Sequence, residues 1–281
     1  METVVQAALV GLIQGLTEFI PISSSAHLEL APWIAGWDEG GLVGSLAFDV
    51  FLHLGTLVAL LVYFFRDWVR LIGAWFASVR DRRIGDDPDR RIAWLLLAAT
   101  VPAAVLGFAL EGFSDEAVHG DDNGARLWIA AFLVIGAVAL YVADRLGRRD
   151  RDIEDIGAPT ALTIGFSQAL ALLPGISRSG ATLTAGLALG MKREAAARFS
   201  FLLATPITLG AGLYGSRRLL DASLTQTEWL AIAVGFATAA LAGLAAISFL
   251  LAWLRRRSVA VFSLYRIGFA VVVVFLVVAG R

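Results

Sequence analysis

Hydrophobic residues run through this chain in blocks long enough to cross a bilayer. Six runs, about 45–65, 92–110, 127–143, 199–215, 228–253 and 259–279, carry few or no charges. A spanning helix needs about 17–25 such residues, so each run predicts one. Two further apolar stretches, 3–36 and 158–191, differ in kind, because Pro and a cluster of polar residues interrupt each. They predict pairs of half-helices that enter the membrane and turn back. Irregular backbone at that depth is tolerated only when buried in protein or lining a wet cavity.

The two interrupted stretches read alike at one constant offset. Gly11 pairs with Gly165, Gln14 with Gln168, Ser23 with Ser177 and Ser25 with Ser179. Each is followed by three full spans, and an odd number inverts the second unit relative to the first. The expected architecture is an all-α polytopic membrane protein, one integral domain over 1–281. An inverted-topology repeat divides it into about 1–145 and about 156–281. The two broken segments should enter from opposite faces and meet near the midplane, where transporter-like folds of this kind place their sites.

Composition agrees with the pattern. The chain is 58% hydrophobic and 17% charged, with mean hydropathy +0.75, whereas a soluble domain carries about 25% charged residues. Net charge is −1, which gives no electrostatic case for nucleic acid. With no Cys, disulfide and thiolate chemistry are excluded. Met1-Glu2 opens the chain without a basic region, and no small-residue cleavage site follows, so a cleaved signal peptide is not expected. Basic residues gather in the segments 66–91, 144–157, 192–198 and 254–258, which should all be cytoplasmic, and the acidic loop 111–126 should lie outside. Arg217-Arg218 falls on the other side from this pattern. Both termini then lie outside.

Polar residues inside the membrane are candidate chemistry. Gln14 and Glu18 share one helix face, being four apart. Pro21 breaks the first half-helix, and Ser23, Ser24 and Ser25 favour capping the second, with His27 in its first turn. A half-helix N-terminus suits an anion. Pro174-Gly-Ile-Ser177-Arg178-Ser179-Gly-Ala-Thr182 offers hydroxyls and a guanidinium fork for phosphate oxygens. The plainer alternative is an Arg178–Glu18 structural pair. Arg266 interrupts the last span, either snorkelling to the membrane edge or forming a second phosphate clamp. Asp49 and His53 lie four apart on the first full span, as supporting groups, a proton path or structural hydrogen bonds; Gln168 is a further candidate. Glu18 with Gln14 could hold a divalent cation such as Mg²⁺, which bridges phosphates while keeping waters. A membrane-embedded phosphate site implies a substrate with a lipid tail.

At these residues the sequence resembles the undecaprenyl-diphosphate phosphatase family of the bacitracin-resistance type. One family signature corresponds to Gln14-Gly-Leu-Thr-Glu18 and the run Phe19-Ile-Pro-Ile-Ser-Ser-Ser-Ala-His27; the other corresponds to Pro174 through Thr182, and the Arg of the last helix to Arg266. The resemblance spans essentially the whole chain. It implies hydrolysis of a C55 polyprenyl diphosphate to the monophosphate and inorganic phosphate, recycling the lipid carrier for cell-wall synthesis. It also implies Mg²⁺ or Ca²⁺ dependence, a multi-pass protein of the plasma membrane with its active site open to the extracytoplasmic side, and a homodimer. Glu18 and Gln14 would serve metal and water. Ser23, Ser25, Ser177, Arg178, Ser179, Thr182 and Arg266 would bind the diphosphate. His27 or Ser24 would be the nucleophile. The rival reading is a flippase for a polyprenyl phosphate lipid using the same anion site; His27 near Glu18 favours chemistry, because binding alone needs no general base.

The threading is open to a direct test. Single Cys reporters at Gly85 and Gly120 should label from opposite sides of the membrane, and labelling from one side would overturn it.

Overall fold

The computed structural model describes residues 1–37, 41–109, 123–216 and 224–280. The acidic loop expected outside lies almost wholly beyond these residues, as does Arg217-Arg218. Among the described residues the chain is helical without strands. The first broken stretch forms α1 (Glu2–Phe19) and α2 (Ser24–Ala35). Then come α3 (Leu46–Tyr63), α4 (Phe65–Asp81), α5 (Pro88–Ala109) and α6 (Asn123–Leu146). The second broken stretch forms α7 (Ala158–Ala169), a 3₁₀ turn (Leu170–Leu172) and α8 (Arg178–Ala188). Three helices close the chain: α9 (Arg193–Ser216), α10 (Gln226–Leu254) and α11 (Ala260–Val278).

Five helices, α5, α6, α9, α10 and α11, are each long and apolar enough to cross a membrane, and α3 reaches that measure jointly with α4. The chain is a multi-pass membrane protein. All six expected runs are helices, but the first differs from expectation at its end. The Arg-rich segment 66–91 was expected as a loop, and much of it is α4, bent 78° away from α3. Phe64 sits at the bend, fully buried, with its ring 6.2 Å from that of Phe201. On α4 an outer stripe of Phe65, Val69, Ile72, Phe76 and Val79 is exposed, while Leu71 and Ser78 are buried against the bundle. This is the apolar spacing of a helix, and the interspersed arginines conceal it in a count of charge.

The two broken stretches pack in matching ways. α1 lies along α10, and α7 lies along α5. Glycine permits both approaches. A Cβ on Gly11 would come 2.4 Å from the Gly235 carbonyl oxygen, and one on Gly165 would come 2.2 Å from the Ala99 carbonyl oxygen. Below the breaks, Phe19 meets Phe201 edge to face at 5.5 Å in the main apolar core.

At one end of the bundle the four basic segments meet. Arg198 donates to both carboxylate oxygens of Asp67, and Arg193 to both of Asp144. Ser258 also donates to Asp144 (2.9 Å), Arg255 pairs with Glu194, and Lys192 pairs with Asp152. The hydrogen bond to Asp152 holds the Lys192 ammonium above its usual pKa.

Gly165→Ala should lower thermal stability in detergent by about 1–3 kcal/mol through backbone overlap. Gly268→Ala, where a Cβ meets no atom within 4 Å, should leave it unchanged. Equal unfolding temperatures for both would contradict the close α5–α7 contact.

Candidate active site

Each break is built on a serine in an unusual backbone conformation. Ser23 has φ 76° and Ser177 has φ 73°, a left-handed region that side chains other than Gly seldom adopt. Both are N-caps. Ser23 Oγ accepts from the Ala26 amide at 3.4 Å, and Ser177 Oγ accepts from the Gly180 amide at 3.1 Å. Each cap hydroxyl also pairs with the serine two residues on, Ser25 or Ser179, at 3.2 Å. Capping offsets the strain, because the hydroxyl satisfies an amide that the helix cannot.

The first helical residue after each cap is therefore equivalent, Ser24 in α2 and Arg178 in α8, and both reach Glu18. Ser24 Oγ donates to Glu18 Oε2 at 2.6 Å, and Arg178 pairs with Glu18 Oε1. Gln14 donates its amide to Oε2 at 3.2 Å. Arg178 directs its other arm to Thr208 Oγ1 at 2.7 Å. His53 donates from Nδ1 to the Asp49 carbonyl (2.8 Å), which leaves Nε2 3.8 Å from Glu18 Oε2. A cavity of about 420 Å³ opens onto this group, lined by Glu18, Ser24, Ser25, Asp49, His53, Ser177, Arg178 and Thr208 among others. It is large enough for a small-molecule headgroup. A carboxylate, a hydroxyl within hydrogen-bonding reach of it, a guanidinium and two helix N-termini face one space, which is an arrangement suited to phosphoryl chemistry.

The family described as bacitracin resistance protein BacA matches residues 7–272. A Thermomicrobium roseum protein named undecaprenyl-diphosphatase is 43% identical, over 98% of this chain and 99% of its own length. Proteins of the same name from Rubrobacter xylanophilus and Pelobacter propionicus are 44% and 45% identical over 97% and 96% of the chain, and 98% and 96% of their own lengths. The chain belongs to the BacA family.

Not every BacA residue singled out in the sequence reaches the cavity. Glu18, Ser24, Ser25, Ser177 and Arg178 do, joined by Asp49 and His53. Gln14, Ser23 and Ser179 are buried beside it. His27 goes elsewhere. Its Nδ1 donates to the Ser23 carbonyl (2.7 Å), and its Nε2 accepts from the Tyr265 hydroxyl (2.8 Å). The ring stacks on Phe269 with centroids 4.5 Å apart. A bond to the carbonyl four residues back pins the imidazole against its own helix, and it faces α11, not Glu18. Thr182 is also turned away, with its hydroxyl 2.6 Å from Ser200 Oγ between α8 and α9.

Arg266, expected as a phosphate clamp or a snorkelling residue, is fully buried behind the second break. It donates to the Gly175 and Ile176 carbonyls at 2.8 and 2.9 Å. Those carbonyls have left the helical ladder, and Arg266 satisfies them. It shapes the loop instead of meeting the cavity. Among the described residues no group of three or more His, Asp or Glu could hold a metal ion.

Thr208, which no motif of the sequence singles out, lines the cavity and holds Arg178. Its only signal is a hydroxyl shortly after Pro206 within a span. Thr208→Val removes one of the two partners of Arg178. A hydrogen bond to a charged group contributes about 1.5 kcal/mol, so phosphate release from a prenyl diphosphate should fall about tenfold. Unchanged release would show that Thr208 does not orient the guanidinium.

Proposed function

We propose that this chain hydrolyses a polyprenyl diphosphate, undecaprenyl diphosphate in the cell, to the monophosphate and inorganic phosphate, recycling the carrier lipid and conferring bacitracin resistance. One observation carries the chemistry: Ser24 and Arg178, from two separate breaks, meet on opposite oxygens of one buried carboxylate. The names of the relatives supply the substrate.

In this reading Glu18 Oε2 accepts the Ser24 proton as Ser24 Oγ attacks the terminal phosphorus. The bond from that phosphorus to the bridging oxygen breaks, and the prenyl monophosphate leaves. Glu18 gives that proton to the departing monophosphate; water then attacks the phosphoserine and loses a proton to Glu18, which returns it to Ser24 Oγ as inorganic phosphate leaves. Arg178, held by Thr208, balances charge on the equatorial oxygens. The N-terminal amides of α2 and α8 point positive dipole ends at the same place. His53 Nε2 stands beside Glu18 and can relay the proton outward. His27 supports the first break through Ser23 and Tyr265 and carries no proton in the reaction.

A divalent cation, Mg²⁺ or Ca²⁺, fits the donors present. Among the described residues Gln14 Oε1 is buried without a hydrogen-bond partner, next to the Glu18 carboxylate. Mg²⁺ is commonly held by one or two carboxylates plus substrate phosphates, so a three-residue cage is not needed. Glu18 and Gln14 would hold the ion, with Asp49 lining the same cavity. Bound there, it would add positive charge against the phosphates.

The inverted repeat is part of the same proposal. Matching caps, matching glycine contacts and the paired packing of α1 with α10 and α7 with α5 support it. We place the chain in the plasma membrane with both termini outside. The ion-paired basic end is then cytoplasmic, as the excess of Arg in its loops favours, and the cavity opens to the extracytoplasmic side.

Phosphate release from farnesyl diphosphate by purified protein is the deciding assay. Ser24→Ala and Glu18→Gln should each reduce the rate by about 10²–10⁴-fold, and EDTA should suppress it. His27→Asn should retain much more activity than Ser24→Ala. Wild-type rates in Ser24→Ala would remove the serine from the mechanism. Lipid movement across sealed vesicles without phosphate release would favour the flippase reading.

A further inference from the structure

Beside the Glu18 cavity lies a second and larger one, of about 520 Å³. The two share walls: Ala171, Leu172, Arg178, Ile207 and Ala211 line both. Beyond that boundary the second cavity is largely apolar. Ala103, Gly107 and Phe108 of α5 form one side, and Gly210 and Tyr214 of α9 form another. Small residues leave a slot, and among the described residues no charged group but Arg178 lines it.

One polar side chain does not belong to such a lining. Gln168 is 3% exposed, and among the described residues neither its amide nitrogen nor its amide oxygen has a partner. A buried unpaired amide costs stability, so its presence calls for a ligand. The repeat shows how it came to be unpaired. Its counterpart Gln14 donates to Glu18 four residues on. Four residues after Gln168 stands Leu172, which accepts nothing.

We propose that this second cavity binds the first isoprene units of the substrate tail, and that the Gln168 amide donates to the lipid-side phosphate at its mouth. The inference rests on the hydrolase reading above and deepens it. Arg178 marks the boundary, so a diphosphate held there has its terminal phosphate towards Glu18 and Ser24. Its ester oxygen and tail then point to Gln168 and the apolar walls. The cavity is far too small for a long polyprenyl chain, so only the leading units enter and the remainder lies among membrane lipids.

Two variants test the assignment without disturbing the reacting groups. Gly210 lines the cavity, and a Cβ there meets no protein atom within 4 Å, so Gly210→Leu fills the slot and not the fold. It should lower kcat/KM for farnesyl diphosphate about tenfold and change that for dimethylallyl diphosphate less than about twofold. Gln168→Leu should lower kcat/KM for both about tenfold, because the phosphate contact is common to them. It should also raise the unfolding temperature, since an orphaned amide is removed; a purely structural Gln168 would give the higher temperature with undiminished activity. Binding of farnesyl monophosphate, followed by thermal shift in detergent, reads the site independently of turnover: wild type should be stabilised and Gly210→Leu should not. Equal effects of Gly210→Leu on long and short substrates, or undiminished farnesyl monophosphate binding, would overturn the tail site. Wild-type kcat/KM in Gln168→Leu would overturn the amide contact. Absence of phosphate release from wild type would defeat the hydrolase reading alone, and the binding comparison would still decide this one.

Discussion

The ion pair between Glu18 and Arg178 is the constraint on which the rest of the site depends. Glu18 is buried and Arg178 half-buried, and a lone carboxylate at that depth would be strongly unfavourable in an apolar bundle. They come from different broken segments, so the pair ties the two segments together. The pair also fixes the residues around it. Ser24 and Gln14 both donate to Oε2 of the carboxylate, and Thr208 takes the other arm of the guanidinium. A substrate phosphate must compete with Glu18 for Arg178. Highly charged phosphates can do so, and neutral or singly charged lipids of the surrounding bilayer compete poorly.

The backbone at the two breaks serves that pair. Pro21 and Pro174 lie just past the last helical turns, which end at Phe19 and Leu172, and Ser23 and Ser177 restart the chain in a conformation that few residues accept. The cap bond makes serine tolerable there. It also turns the next side chain towards the shared carboxylate, which is why residues as unlike as Ser24 and Arg178 arrive at the same group. Arg266 supports this from behind by satisfying the carbonyls of Gly175 and Ile176. A residue expected as a substrate ligand thus holds the loop's carbonyls and does not line the cavity.

The spans were legible because bilayer thickness imposes a length on apolar runs, and all six runs form helices. The two breaks were legible because a Pro followed by a Ser cluster has few other uses inside a membrane, and Ser23 and Ser177 stand at matching positions. The turn into α4 was not legible, because its arginines hid a helical apolar stripe within an apparently polar loop. Which way His27 faces was equally hidden. Nine residues separate it from Glu18, but the ring's orientation depends on a hydrogen bond to the Ser23 carbonyl and on Tyr265, a partner far along the chain. Thr208 lay outside any recognisable motif, and only the folded chain brings it to Arg178. Asp49 and His53 could be read either as structural or as part of the site until both were found lining the cavity.

Leu172 has a consequence of its own. With a carboxylate at that position, the groove would carry two similar heads, and a ligand could lie in it either way round. A single aliphatic side chain removes that ambiguity. The paired cavities acquire a compass bearing, charged at one end and oily at the other, and an amphiphile can be read in one direction only.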